Sequence, residues 1–89
     1  IKIFMTHKKN HSKNVVSIYS TPACVYCNMM KDFLRNRDIA YEEYDVATDL
    51  AKREEMIEKS GQMGVPVAVI GQEVLVGFNR ERISQLLGI

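Results

Sequence analysis

Residues 15–37 of the chain, VVSIYSTPACVYCNMMKDFLRNR, pass from one hydrophobic period to another across a Thr-Pro turn. Residues 15–19 are β-branched and apolar, a composition that is typical of a buried strand. Residues 25–37 repeat apolar side chains every three or four positions, which predicts an amphipathic helix. We place on its inward stripe Cys27, Met30, Phe33, Leu34 and Arg37, and on its outward side Lys31, Asp32, Arg35 and Asn36. The only two cysteines of the chain, Cys24 and Cys27, therefore lie where a strand is followed by a helix.

This junction is a favourable place for a reactive thiol. The first backbone N–H groups of a helix lack partners within the helix, and the helix dipole is positive there, so both favour a thiolate. The thiolate is the attacking species in disulfide exchange. Cys24 is predicted to lie near the N-cap and to be exposed, and Cys27, three residues later, to lie deeper. We therefore predict that Cys24 attacks a substrate disulfide and that Cys27 then attacks the mixed disulfide and releases the product.

The rest of the chain continues to alternate between strand and helix patterns. The predicted elements are a strand over residues 40–46, a helix capped by Thr48 that runs to about residue 60, short strands over residues 67–70 and 74–76 joined by a tight turn, and a helix over residues 79–87 capped by Asn79. The order β-α-β-α-β-β-α implies a parallel crossover followed by an antiparallel hairpin. We therefore predict an α/β fold with a four-stranded mixed sheet, three helices on its two faces, and one domain over residues 15–89.

Composition and cysteine usage narrow the class of protein. The chain is 46% hydrophobic and 26% charged. It has no apolar run near the roughly 18 residues that would cross a membrane and no apolar segment typical of a signal peptide, so we expect a cytoplasmic protein with no membrane contact. We also expect a monomer. A secreted domain of this size usually carries more cysteines, so one close pair indicates reactive cysteines rather than a structural staple.

The first residues differ from the others in charge. Residues 1–14 carry four lysines and no acidic side chain, whereas residues 15–89 carry eight basic and eleven acidic side chains. A basic segment can contact nucleic acid, but four lysines form a weak electrostatic footprint. We expect residues 1–14 to be a flexible basic extension, either an upstream leader or an artefact of expression, and we expect no nucleic-acid partner.

A second chemical signal is Pro66 in the stretch GVPV, residues 64–67, where it opens a predicted strand. Most X–Pro bonds are trans, and an ordinary trans proline at an edge strand is the simpler interpretation. Because it accompanies a Cys-x-x-Cys motif in this strand order, we predict a cis Val65–Pro66 bond. Such a bond would expose the Val65 backbone for pairing with an extended substrate.

Three stretches together, YSTPACVYC (19–27), GVPV (64–67) and GFNRERI (77–83), resemble the glutaredoxins and the glutaredoxin-like small redoxins of bacteria. The resemblance extends over about residues 15–88 and implies a thioredoxin-like fold of the glutaredoxin type. It implies thiol–disulfide exchange with Cys24 as nucleophile and Cys27 as resolving cysteine, without a bound cofactor. Tyr26 then matches the aromatic residue often found between the cysteines, and Val65 the residue whose backbone pairs with a substrate. The implied partners are disulfide-containing proteins and a reducing agent, either glutathione or thioredoxin reductase.

The choice of reductant stays open because the chain departs from the usual glutaredoxin pattern. Glutaredoxins usually have a lysine at the position of Thr21, commonly a proline at the position of Val25, and a Gly-Gly turn with a polar, often acidic pair near the last helix. The corresponding turn here consists of Gly77, Phe78, Asn79 and Arg80. The Gly-Phe pair is more similar to the glutaredoxin-like donors of ribonucleotide reductase, which accept electrons from thioredoxin reductase. A carboxylate of glutathione can still be received by the backbone at Asn79 and by Arg80.

Other interpretations of the cysteine pair also exist. Zinc is one, because His7 and His11 precede Cys24 and Cys27 and complete four ligands. An iron–sulfur cluster that bridges two chains with glutathione as co-ligand is another. The third is a binding module with inert, buried cysteines. We favour redox chemistry and no metal, with Tyr26 and Phe78 as candidates for the walls of a substrate groove.

Overall fold

The computed structural model describes residues 15–89, so the predicted N-terminal extension over residues 1–14 lies outside the described residues. The elements follow the predicted order: β1 (Val16–Ser20), α1 (Val25–Asn36), β2 (Glu42–Asp45), α2 (Leu50–Ser60), β3 (Val67–Ile70), β4 (Glu73–Val76) and α3 (Arg80–Leu87). Within residues 15–89, the helices are all too short or too polar to span a bilayer.

The strands form one mixed sheet in the order β2-β1-β3-β4. β1 is parallel to β2 and antiparallel to β3, and β3 is antiparallel to β4. Tyr19 near the end of β1 lies opposite Val67 at the start of β3, and Val67 lies opposite Val76 at the end of β4. The segments that follow β1, precede β3 and follow β4 therefore meet at one end of the sheet.

Two apolar layers cover the two faces of the sheet, as the alternation of its strands requires. One layer contains α1 and α3, and its buried residues are Val16, Ile18, Met30, Phe33, Leu34, Ala68, Ile70 and Ile83. The other contains α2, and its buried residues are Tyr19, Val46, Met56 and Val67. The prediction of a mixed sheet between three helices is confirmed.

The helix ends follow local capping chemistry, with one correction to the predicted caps. The side chain of Asp49, not of Thr48, accepts a hydrogen bond from the Lys52 N–H and begins α2. The Thr48 hydroxyl instead contacts the Asp45 carbonyl oxygen at 3.5 Å. An Asp is as good a cap as a Thr, so residue type does not decide which of the two adjacent residues caps the helix. The path of the incoming loop decides it. Asn79 caps α3 as predicted, through a 3.0 Å hydrogen bond from the Arg82 N–H.

Candidate functional site

Cys24 occupies the N-cap of α1, at the place predicted for it. Its backbone is extended, with φ −83° and ψ 115°, and its Sγ accepts a hydrogen bond from the Cys27 N–H at 3.1 Å. The Cys24 N–H donates to the Thr21 carbonyl oxygen at 3.3 Å, which closes the Thr-Pro-Ala turn. The sulfur therefore takes the role that a Ser or Asp oxygen has at most N-caps, and its partner N–H is one that stabilises negative charge on sulfur.

Cys27 lies in a different environment from Cys24, although the two are three residues apart. Cys27 is fully buried, Cys24 is partly exposed, and both are free thiols. Burial, followed by the hydrogen bond with Cys24, raises the pKa of the Cys27 thiol to about 12. The Thr21 backbone and the charge of Lys31 act in the opposite direction. The structure thus places one accessible sulfur and one buried, protonated sulfur at the same helix start.

The segment before β3 completes the second side of this end of the sheet. The Val65–Pro66 peptide bond is cis, as predicted, and Pro66 is buried. The Gly77 N–H donates to the Pro66 carbonyl oxygen at 2.8 Å, which ties the end of β4 to the start of β3. Within residues 15–89, the N–H and C=O groups of Val65 form no backbone hydrogen bond. Val65 precedes the first residue of β3 by two positions, so these groups lie just past the end of the pairing between β3 and β1.

The predicted residues after β4 divide between the site and the core. Gly77 has φ +84°, a conformation that other residues seldom adopt, and it turns the chain toward α3. Phe78 packs edge-on against Phe33 of α1, with 5.8 Å between ring centroids. The Arg80 guanidinium lies 5.7 Å from the same Phe33 ring. Phe33 is nine residues after Cys24, about 13 Å along the helix axis, so the Arg80 guanidinium lies beside a residue in the second half of α1.

The exposed residues beside Cys24 come from its own motif. Tyr26 is 62% exposed and Val25 is 67% exposed, whereas Thr21 is half-buried. Of the two aromatic residues expected to form a substrate groove, Tyr26 offers a free ring to an incoming molecule. Phe78 is packed against the core and offers only part of its ring.

A polar cluster next to Cys27 did not emerge from sequence reasoning. Lys31 was expected on the outward side of α1, but only 12% of its side chain is exposed. Its Nζ lies 2.6 Å from Glu43 Oε2, and the same oxygen accepts a hydrogen bond from the Ser20 hydroxyl at 3.0 Å. Ser20 is fully buried at the end of β1. The spacing of four residues between Cys27 and Lys31 was the available signal, but the ion pair depends on β2.

Of the four proposed zinc ligands, Cys24 and Cys27 lie in the part of the chain that the structure describes. Residues 15–89 contain no group of three or more His, Cys, Asp or Glu side chains that could hold a metal ion. His7 and His11 lie outside the described residues, so the zinc hypothesis remains a hypothesis.

Comparisons with known proteins agree with this arrangement. The glutaredoxin family model matches residues 16–75. A glutaredoxin-like 8.6 kDa protein from the rubredoxin operon of Clostridium pasteurianum, itself uncharacterized, is 41% identical over 73 residues, which are 82% of this chain and 97% of that protein. Glutaredoxin 3 of Escherichia coli strain K12 is 36% identical over 62 residues, 70% of this chain and 75% of its own. The solved structure of the glutaredoxin-like NrdH-redoxin of Escherichia coli, described for its thioredoxin-like activity profile, is 27% identical, with a TM-score of 0.69 over 80% of this chain and 92% of its own.

Proposed function

The chain belongs to the glutaredoxin family, and on that premise we propose that it is a cytoplasmic, monomeric thiol–disulfide oxidoreductase that uses Cys24 and Cys27. The observation that carries the proposal is the hydrogen bond from the Cys27 N–H to the Cys24 sulfur at the start of α1. It gives an accessible sulfur a donor that favours its thiolate, and it holds the second sulfur within the same turn.

The reaction consists of two exchanges. The Cys24 thiolate attacks one sulfur of a substrate disulfide, forms a mixed disulfide and releases the first substrate thiolate. Cys27 then gives its proton to solvent or to the released thiolate, attacks the Cys24 sulfur of the mixed disulfide and releases the second substrate thiolate. The two cysteines end as a disulfide, and the two electrons have passed to the substrate. An external reductant returns the pair to the dithiol.

The substrate is proposed to lie between Tyr26 and the cis-proline segment. The unpaired N–H and C=O groups of Val65 suit an extended peptide that adds one antiparallel pairing to the backbone. Thr21 and Tyr26 flank the attacking sulfur, and Pro66 and Gly77 hold the Val65 segment in place. This assignment accommodates both a protein disulfide and the peptide glutathione.

Glutathione and thioredoxin reductase remain two candidate electron donors. The identity with glutaredoxin 3 favours glutathione, and the likeness to NrdH-redoxin together with the Gly77-Phe78 turn favours the reductase. Asn79 uses its side-chain oxygen to cap α3, so a glutathione carboxylate would be received by backbone N–H groups at this helix start. Arg80 would have to turn away from Phe33 to pair with it.

A paired turnover assay on the purified protein tests the activity and the donor together. One arm couples glutathione and glutathione reductase to a small mixed disulfide, and the other couples thioredoxin reductase to a protein disulfide. We expect Cys24→Ser to abolish turnover in whichever arm is active. We expect Cys27→Ser to retain only steps that need one thiol and to accumulate the mixed disulfide, which intact-mass spectrometry detects. Full turnover by Cys24→Ser would refute the assignment.

A single substitution then tests the choice of donor. Thr21→Lys introduces the cation that glutaredoxins usually carry at this position, and Thr21→Gln is the uncharged control of similar length. If glutathione is the donor, Thr21→Lys should lower the KM for glutathione and leave the thioredoxin reductase arm unchanged. If the reductase is the donor, the wild type should be active only in the second arm.

A further inference from the structure

The second exchange raises a problem that the position of Cys27 makes acute. Cys27 is fully buried, and its sulfur must become a thiolate before it can attack the mixed disulfide. Burial disfavours that charged form. Formation of the mixed disulfide removes the Cys24 thiol, which is the second cause of the raised Cys27 pKa, and leaves burial as the main obstacle to ionisation. A fixed positive charge near Cys27 would therefore act on the step where the dithiol mechanism needs it most.

Lys31 is the side chain that provides such a charge. It follows Cys27 by about one helical turn, so the two side chains are neighbours across the border between the apolar stripe and the polar side of α1, with Cβ atoms roughly 5–6 Å apart. Its side chain is largely covered, with 12% exposed, so its stem lies against the protein while the ammonium meets Glu43 at the surface.

The ammonium is held in place from two other elements. Glu43 of β2 accepts a 2.6 Å hydrogen bond from Lys31 Nζ, and the Ser20 hydroxyl of β1 donates to the same carboxylate oxygen at 3.0 Å. The hydrogen bond from Lys31 lowers the pKa of the Glu43 carboxyl, so the ion pair persists at neutral pH. Ser20 immediately precedes the turn that carries Cys24. The cluster of Ser20, Lys31 and Glu43 thus connects the end of β1, the edge strand and α1.

We propose that Lys31, fixed by Glu43 and Ser20, promotes the resolving step by stabilising the thiolate of Cys27. Lys31 is thus a positioning residue: it places a positive charge near the sulfur of Cys27. This role rests on the proposed dithiol function. Three groups act on Cys27: the Cys24 sulfur, the Thr21 backbone at the N-terminal end of α1, and Lys31. Lys31 is the only cation among the three.

The size of the effect follows from two opposing terms. Loss of a nearby cation lowers the fraction of Cys27 present as thiolate, and we take about tenfold at neutral pH for a cation that is also paired with a carboxylate. The remaining thiolate is more basic and hence about threefold more nucleophilic, since the Brønsted coefficient of exchange is about 0.4–0.5. Removing the charge should therefore slow resolution about three- to fourfold.

The two exchanges can be separated on the protein itself with Ellman's reagent in stopped flow. Reduced wild type should release one coloured thiolate as Cys24 attacks and a second as Cys27 resolves the mixed disulfide. In Lys31→Met, which keeps the length of the side chain, we expect the first phase to be unchanged and the second to slow about three- to fourfold. Lys31→Arg should restore the second phase. Lys52→Met is the matched control, because it removes another ion-paired lysine, on α2.

The outcomes distinguish the inference from the function on which it rests. A wild type that releases one coloured thiolate instead of two would refute the dithiol function itself. A biphasic wild type with an equally fast second phase in Lys31→Met would refute only the role of Lys31. Slowing that Lys31→Arg does not reverse would assign the effect to packing rather than charge, and would also refute it. If Lys31→Met does not fold by circular dichroism, Lys31→Gln removes the same charge with a polar side chain.

Discussion

Because the thiol of Cys27 is buried, the reduced protein should lose stability as the pH rises into the alkaline range. Its pKa is raised from the ordinary value of 9.0 to about 12, mainly by burial. In the unfolded chain the thiol ionises near its ordinary pKa, so above that pH the unfolded state binds fewer protons than the folded state. The free energy of unfolding then falls as pH rises. The contribution of Cys27 is complete below about pH 9 and is lost progressively toward about pH 12.

The magnitude at an accessible pH is large enough to measure. At about pH 10, the unfolded thiol is mostly ionised and the folded thiol is not, which corresponds to about 1.4 kcal/mol relative to neutral pH. Tyr19 has the same sign of effect, because burial also raises its pKa to about 12. The contribution of Tyr19 to the pH dependence cancels when the wild type is compared with Cys27→Ala, since both proteins retain Tyr19.

The assay is equilibrium urea unfolding, followed by circular dichroism in the presence of a phosphine reductant, at neutral pH and at about pH 10. Between neutral pH and about pH 10, the free energy of unfolding of the wild type should fall by about 1.4 kcal/mol more than that of Cys27→Ala. Equal losses in the two proteins would mean that Cys27 ionises in the folded state as readily as in the unfolded state. The reasoning from burial, both here and for the resolving step, would then be wrong.

Three further substitutions test how the chain builds the scaffold of the site, each by the urea unfolding free energy. Met30→Ala should cost about 2–5 kcal/mol because Met30 is fully buried beneath α1, whereas the adjacent Met29, 44% exposed, should change by less than about 0.5 kcal/mol when replaced by Ala. Asn79→Ala should lower the unfolding free energy by about 1 kcal/mol because it removes the cap of α3. Asn79→Asp should lower it much less, because Asp also caps helices, and equal losses would exclude a capping role. Gly61→Ala should cost about 1 kcal/mol because φ is +75° at the end of α2, and Gly61→Asn should cost less; a neutral Gly61→Ala would contradict the backbone argument.

Most of the fold could be predicted from the sequence because its signals are local. The change from a β-branched run to a helical period between residues 15 and 37 predicted β1 and α1. Both observed bounds of β1 and the last residue of α1 differ from the prediction by one residue. Gly61 and Asn79 similarly predicted where α2 ends and α3 begins. The α2 cap was misplaced by one residue because Thr48 and Asp49 are both good caps, and no sequence pattern ranks them.

The location of the candidate site was also accessible from the sequence, but its electrostatics were not. A Cys-x-x-Cys motif at a strand-to-helix junction is enough to place Cys24 at an N-cap, since capping involves only the next few residues. The direction of Arg80 toward Phe33 depends instead on how α3 packs against α1. Helical periodicity places Lys31 on the polar side of α1, and that position is outward only if no neighbouring strand covers it.

The sequence by itself determined the order of elements, the two apolar layers and the position of Cys24 at the start of α1. Only the tertiary structure decided how deeply Cys27 is buried and that Lys31 pairs with Glu43. The reason is that hydrophobic period and capping are properties of neighbouring residues. The burial and charge around a sulfur depend on side chains that β1 and β2 bring together from distant parts of the chain.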